Sequence, residues 1–426
     1  MSFHHRELLR HVAGGTPHGV GRPPRLFDRD RIDMPPLSPS TVDPVSSGEI
    51  QTLDPVRLET VERRHRQLAE FLRHCNFDAL LITDPATIGW ATAGSRLRLA
   101  RPTAKGASLF ITPQARVVIC RSSESGQIFD REVAGLGFQL KERPWEQGRD
   151  RLIADLCTGR RVAGDDLRSS PHDVSQELRA IRRTYDGDEA ERMRSLGHDV
   201  TQAVEATGRA FAVGETEAEV AGHLTHRLMR HGVAAVSVQV LADAQGHRYR
   251  HWTYGCDPIQ RYATLRVVGQ RDGLFVGVAR TVSFGPPPRA IRNAHEVASL
   301  IQATGMFFSQ VGWTASDTWQ RVARMYEKLG AVDEWRLAEQ AGLIGYAAEE
   351  LPVTPDAGFT FEAGTFVQWH PSVRTGMVAD TMMVREEGFE LLTIGERWPR
   401  LKVVVKGHAV DRPGIFVREE SGEWAI

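Results

Sequence analysis

Cysteine is scarce. Cys75, Cys120, Cys157 and Cys256 are the four thiols in 426 residues. They form no CxxC pair, which argues against a zinc knuckle or a disulfide frame and fits reduced thiols in a cytoplasm. No stretch approaches about 18 uninterrupted apolar residues, so a membrane span is not expected. The opening MSFHHRELLRHVAGG lacks the apolar run of a secretory signal. Excess charge of either sign is missing too: 53 Lys and Arg face 54 Asp and Glu. The chain as a whole therefore has no pull toward nucleic acid or an anionic membrane. There is no GxSxG, no HExxH and no GxGxxG after a strand. The two glycines of VGQRDG lie between strands rather than ahead of a helix, so they make no phosphate cradle. The basic residues of RRTYDGDEAERMR are balanced by acids.

What is present is an ordinary globular composition, 41% hydrophobic and 25% charged, long enough for two domains with cores. Residues 1–50 are rich in Pro, Gly, Ser and Arg and read as an extended arm. From Asp54 the pattern turns helical in PVRLETVERRHRQLAEFLRHCNF. DALLITD is a short buried strand ended by Asp84-Pro85, and GASLFITPQARVVICR holds two strands around a turn. A helix in RLIADLCTG and a strand in RVAGDD complete a small α/β domain over 51–184. Over 185–426 the order is helix, helix, strands, twice. Gly214, Gly232, Gly312 and Gly330 close the helices. This order predicts an α+β domain with pseudo-twofold symmetry and a cleft between its halves.

The phrases GETEAEVAGHLTHRLMRHG, GVARTVSFG, AGLIGYAAEELPVTPDAGFTFEAGTFVQWHP and ADTMMVREEGFELLT, in that order, resemble the creatinase, aminopeptidase P and prolidase family. The resemblance covers about Asp54 to Thr393. It implies a pita-bread C-terminal domain, a smaller creatinase-like α/β domain ahead of it, and a homodimer whose N-terminal domains close the neighbour's cleft. The peptidases of that family hold two metal ions with two Asp, one His and two Glu. Such hard ligands bind divalent ions and lower the pKa of a bridging water. In this chain the corresponding positions are Arg266, Gly277, Gly342, His370 and Ala379. Four carboxylates are gone, the histidine position is glycine, and a cation would repel metal. No cofactor is expected.

Creatinase has the same fold and no metal, and it cleaves a C–N bond with a histidine acid and base. That precedent points to His251, with His247 close by. A neutral imidazole takes a proton from water and returns it to a leaving nitrogen. The plainer reading of His251 is a structural histidine in a strand-turn segment. His370 stands where a metal Glu would project into the cleft, and its plainer role is to fill vacated space. Glu349 falls near the family's substrate-touching histidine, and with Glu350 it makes an acidic pair whose burial would raise a carboxyl pKa. Solvated glutamates are the alternative. Arg266 is a candidate to grip a carboxylate bidentately if it faces the emptied site, and its plainer reading is a strand arginine facing solvent. Asp380 follows a lost ligand, and strand alternation points it away from the cleft unless it serves the substrate. Trp369, Trp252 and Tyr254 are candidates to wall the cleft, with core packing the plainer role for at least one of them. Arg96 and Arg98 lie where the creatinase resemblance implies a contribution from the neighbouring subunit, although the accompanying aromatic is absent.

Three functions follow. The first is a metal-independent enzyme acting on a C–N bond of a small, polar, nitrogen-containing molecule. The second is an inactive pita-bread module that binds peptide or protein. The third is an Xaa-Pro-type metallopeptidase with ligands relocated to His247, His251, His370 and Glu349.

Overall fold

The computed structural model describes residues 54–95, 106–166, 170, 172–183, 185, 187–243 and 248–419. The expected arm over 1–50, and His247, Arg96 and Arg98, lie outside the described residues. Residues Gln51–Ile426 form one compact unit.

Helix α1 (Pro55–His74) starts where Asp54 accepts a bond from the Arg57 amide at 3.0 Å, with proline at its first position. Proline needs no N–H there, and the carboxylate satisfies an orphan donor. Its apolar stripe of Val61, Leu68 and Leu72 is buried. A five-stranded sheet follows from β1 (Ala79–Ile82), β2 (Ser108–Ile111), β3 (Arg116–Arg121), β4 (Gln139–Arg143) and β5 (Val162–Gly164), in the order β4-β3-β2-β1-β5. Between and after these strands lie α2 (Pro85–Ala91), α3 (Ser122–Gln127), α4 (Asp150–Cys157) and α5 (Ser175–Arg182). Asp84 does more than end β1. It caps α2, accepting from the amides of Ala86 and Thr87.

The next layer holds α6 (Gly187–Ala210) and α7 (Glu217–Arg230) against β6 (Ala234–Ala242), β7 (Tyr262–Arg271) and β8 (Leu274–Phe284). A reciprocal capping box of Thr216 and Glu219 starts α7. The β7–β8 hairpin turns at Asp272 and Gly273, both with positive φ (50° and 78°), as a two-residue type I′ turn requires. The order then recurs, with α8 (Arg289–Phe308) and α9 (Ala315–Lys328) covering a second sheet. That sheet contains β9 (Ala341–Leu343), β10 (Leu351–Pro352), β11 (Phe366–Trp369), β14 (Asp380–Val384) and β15 (Phe389–Leu391), ordered β10-β9-β11-β14-β15. The short hairpin β12 (Ser372–Val373) and β13 (Gly376–Met377) interrupts it. A bridge from Ala279 to Ala379 stitches the two sheets, the Ala279 amide donating to the Ala379 carbonyl at 2.9 Å. Finally β16 (Arg400–Val405) and β17 (His408–Pro413) form a hairpin, and β18 (Phe416–Arg418) adds to β8 in parallel. The α+β architecture with two like halves is the one expected. Among the described residues no helix is long and apolar enough to cross a membrane.

Candidate functional site: the cleft at the sheet junction

Register decides which side chains share the cleft. On the β7–β8 hairpin Arg266 pairs with Ala279, and Val268 with Gly277. Paired residues face the same way, and every second residue joins them. Arg266 and Gly277 therefore lie diagonally on one face, with Ala279 beside them. Across the junction, β11 pairs Gln368 with both Thr381 and Gly342. By the same alternation Gln368, Gly342, Ala379 and Thr381 share a side, and His370 continues from β11 with Gln368's parity. The positions matched to the five metal ligands thus converge on one junction, and the donor set there cannot hold a pair of divalent ions. Four of the five positions carry a cation, two glycines and an alanine. Among the described residues no group of three or more His, Cys, Asp or Glu could hold a metal ion.

Other side chains fill part of the emptied volume. A Cβ at Gly277 would lie 1.8 Å from Gln368 Nε2. Thr381 Oγ1 closes the same spot, accepting from the Gly277 amide at 3.1 Å and donating to its carbonyl at 3.0 Å. At Gly342 a Cβ would meet Glu349 Cγ at 3.3 Å and the Leu351 carbonyl at 3.2 Å. Gln368 is the residue that sequence reading passed over. Its signal was a lone polar residue in the apolar strand FVQW. Restoring the acid by Gly277→Asp is expected to overpack the junction and cost about 1–3 kcal/mol in urea denaturation. Adding Gln368→Ala should recover at least half of that loss. If Gly277→Asp alone is as stable as the parent, Gln368 does not occupy this volume in solution.

The chemistry-bearing groups that remain are Arg266, His370, His251 and Glu349, joined by Glu339. Arg266 is half-buried and makes no hydrogen bond or ion pair among the described residues. Burial pulls its guanidinium down to about 10, offset in part by Glu339. His370 is 8% exposed, its amide is held by the Gln340 carbonyl at 2.8 Å, and its Nδ1 has no partner. Burial first, then the Arg266 charge, push its imidazole well below the usual value, so it is neutral at pH 7. His251 is exposed, and its Nε2 lies 3.3 Å from Glu339 Oε2. The backbone presenting it is anchored on both sides. Arg250 is buried and bonds Glu334 Oε2 at 2.6 Å and the Arg374 carbonyl. Trp252 donates to Glu217 Oε2 at 2.8 Å, and its carbonyl accepts from Gln239 Nε2, also at 2.8 Å. Glu349 stands at the exposed rim. Burial of its carboxyl and then the nearby Glu339 raise its pKa. Glu339 was not singled out from the sequence, although it stands three residues before the vacated histidine position.

Three expected substrate contacts are corrected. Trp369 has the parity of Val367, not of His370. Its ring is fully buried over Gly305, and its Nε1 donates to Ser309 Oγ at 3.1 Å. Glu350 is buried and clamped by Arg182, with Nη2 at 2.6 Å and Nε at 3.0 Å from its Oε2. It ties α5 to the turn after β9 and offers no free oxygen to the cleft. Asp380 is completely buried on the opposite side of the sheet. There it accepts from Arg280 Nη1 at 2.9 Å, Thr393 Oγ1 at 2.8 Å and Arg412 Nη1 at 3.3 Å. Trp252 spends its indole N–H on Glu217, while Tyr254 is exposed.

No known protein-family profile matches the chain. An uncharacterized peptidase of Staphylococcus haemolyticus is 22% identical over 350 residues, covering 77% of this chain and 97% of the relative. Among solved structures, the dipeptidase PepE of Mycobacterium ulcerans superposes with a TM-score of 0.69 at 16% identity, covering 85% of this chain and 99% of its own. The prolidase of Pyrococcus horikoshii superposes with a TM-score of 0.66 at 16% identity, covering 79% and 99%. The chain therefore has the pita-bread fold found in prolidases and dipeptidases.

Proposed function

We propose that this chain of pita-bread fold is a hydrolytic enzyme that cleaves a C–N bond of a small, polar substrate carrying a carboxylate, with organic side chains in place of metal. The observation that carries this reading is Arg266, a half-buried guanidinium on the cleft face of β7 with no hydrogen-bond acceptor among the described residues. A cation so placed is costly until an anion reaches it, and a planar carboxylate satisfies two of its N–H groups at once. Above it, His251 takes the proton of a water that adds to the carbon of the C–N bond. Glu339 orients the ring and stabilises the imidazolium. The proton then passes to the nitrogen as that bond breaks. Glu349, whose carboxyl is shifted toward its neutral form, is the second proton donor at the rim. Neutral His370 lends Nδ1 as a hydrogen-bonding group beside the bound anion.

The peptidase names of the relative and of the structural neighbours support the bond class, since an amide is a C–N bond. The replaced ligands support a different way of activating water. The test is a substrate screen of short peptides, N-acyl amino acids and guanidino acids, run before and after exhaustive chelation. Turnover of a carboxylate-bearing member that changes less than about twofold on chelation is the expected result. Stoichiometric Mn, Zn, Co or Fe in the active protein, with activity lost on chelation and restored by metal, would overturn the reading.

A further inference from the structure

A cavity of about 500 Å³ lies on the side of the sheet that Arg280 and Asp380 face, away from the cleft. It opens between the end of α8, the loop after β15 and the β16–β17 hairpin. Its walls are mixed: Phe389, Leu391, Trp398 and Val410 make an apolar part, while Glu387, Arg400, His408 and Asp411 stand among the other lining residues. Its floor is ionic, with Glu205, Arg280 and Arg412. The size falls in the range that takes a drug-sized ligand, and an apolar wall with a few convergent polar groups is the usual build of such sites.

One donor of the floor is left without an acceptor among the described residues. Arg280 is well satisfied, donating to Glu205 Oε1 at 3.1 Å, Asp380 Oδ1 at 2.9 Å and the Thr393 carbonyl at 2.7 Å. Arg412 is not. It is 1% exposed; Nε donates to the Asp411 carbonyl at 2.8 Å, and Nη1 to Gln302 Oε1 at 3.1 Å, to Met306 Sδ at 2.9 Å and, at 3.3 Å, to the Asp380 oxygen left over from Arg280. Its Nη2 has no acceptor among the described residues. Two guanidinium groups thus share Asp380, and Glu205 is the floor's second acid. Burial shifts the Glu205 carboxyl toward its neutral form.

We propose that this cavity is a second binding site, for a small amphipathic carboxylate whose head meets Arg412 and whose hydrocarbon body lies against Phe389, Leu391 and Trp398. The apolar part of the wall gives a hydrocarbon body a place to lie, and the unfilled donor favours an acid over an alcohol or amide of the same shape. The site shares no lining residue with the Arg266 cleft, so it stands whether or not the hydrolytic reading holds.

Calorimetric titration of the full chain with octanoate and with octanamide tests it. Octanoate is expected to bind at least about tenfold tighter than octanamide, the worth of one hydrogen bond to a charged group. Ala409→Trp, at the exposed rim of the cavity, should weaken octanoate binding at least about tenfold by filling space, with the melting temperature of the unliganded protein unchanged. Arg412→Met should erase the preference for octanoate over octanamide. If that variant fails to fold, the comparison of the two ligands and the Ala409→Trp result still decide. Equal binding of octanoate and octanamide, no binding of either, or full-strength binding by Ala409→Trp would overturn the proposal.

Discussion

Asp380→Ala is expected to lower the stability of the fold by about 3–5 kcal/mol, read as a drop in the denaturation midpoint with turnover assayed separately. The size follows from what the substitution strands. Arg280 and Arg412 are both nearly inaccessible to water, and Asp380 takes a bond from each. Removing the shared carboxylate leaves two buried cations with Glu205 as the one remaining acid of the cluster. Breaking one member of such a group costs far more than the group contributes in total, because the uncompensated charge stays behind. The comparison with Asp380→Asn separates charge from shape. The amide keeps the volume and can still accept from Thr393 Oγ1 or Arg280, so it should recover part of the loss and leave the electrostatic part. A loss under about 1 kcal/mol for the alanine variant would mean that water reaches these groups in solution. The same residue was a candidate substrate contact. A stability defect with intact KM in the surviving folded fraction is what its buried position requires.

Strand parity accounts for much of what could be read ahead of the structure, and for some of what was missed. The helix stripes, the Asp272-Gly273 hairpin and the repeated helix, helix, strands order are local signals, so the α+β halves were legible. Trp369 was one of three aromatic candidates to wall the cleft, yet its period-two partner is Val367, and both belong to the core under α8 and α9. Applying the alternation already used for Asp380 would have corrected this. Glu350 could not have been assigned that way. Its partner Arg182 lies 168 residues earlier, and nothing local in AAEELP distinguishes a clamped glutamate from a solvated one. Gln368 and Glu339 were missed for a related reason. Their importance lies in the volume they fill or the imidazole they face, and both depend on the packing of separate elements.

Arg266→Met and His251→Ala should damage turnover in different ways. Methionine keeps the apolar stem and removes the charge, so a substrate carboxylate loses its anchor. The expected fall in kcat/KM is about 2–4 kcal/mol, roughly 30- to 1000-fold, most of it in KM. His251→Ala should leave KM nearly unchanged and cut kcat by about 10²–10⁴, the range for loss of a general acid-base group. Full activity in His251→Ala would remove it from the mechanism. Arg266→Met also carries a readout independent of substrate. In the parent, burial and then the Arg266 charge hold His370 below its unfolded value of about 6.5. Below that value the unfolded chain takes up a proton that the folded chain refuses. Stability linked to this histidine is therefore full above about pH 6.5 and declines as the pH falls toward the folded pKa. Without the guanidinium the His370 resonance should titrate closer to 6.5, and the acid loss of stability should become shallower. Burial remains the larger cause, so the recovery is partial. An unchanged His370 titration in Arg266→Met would place the two groups too far apart to share a bound anion, and the cleft would then need a different anchor.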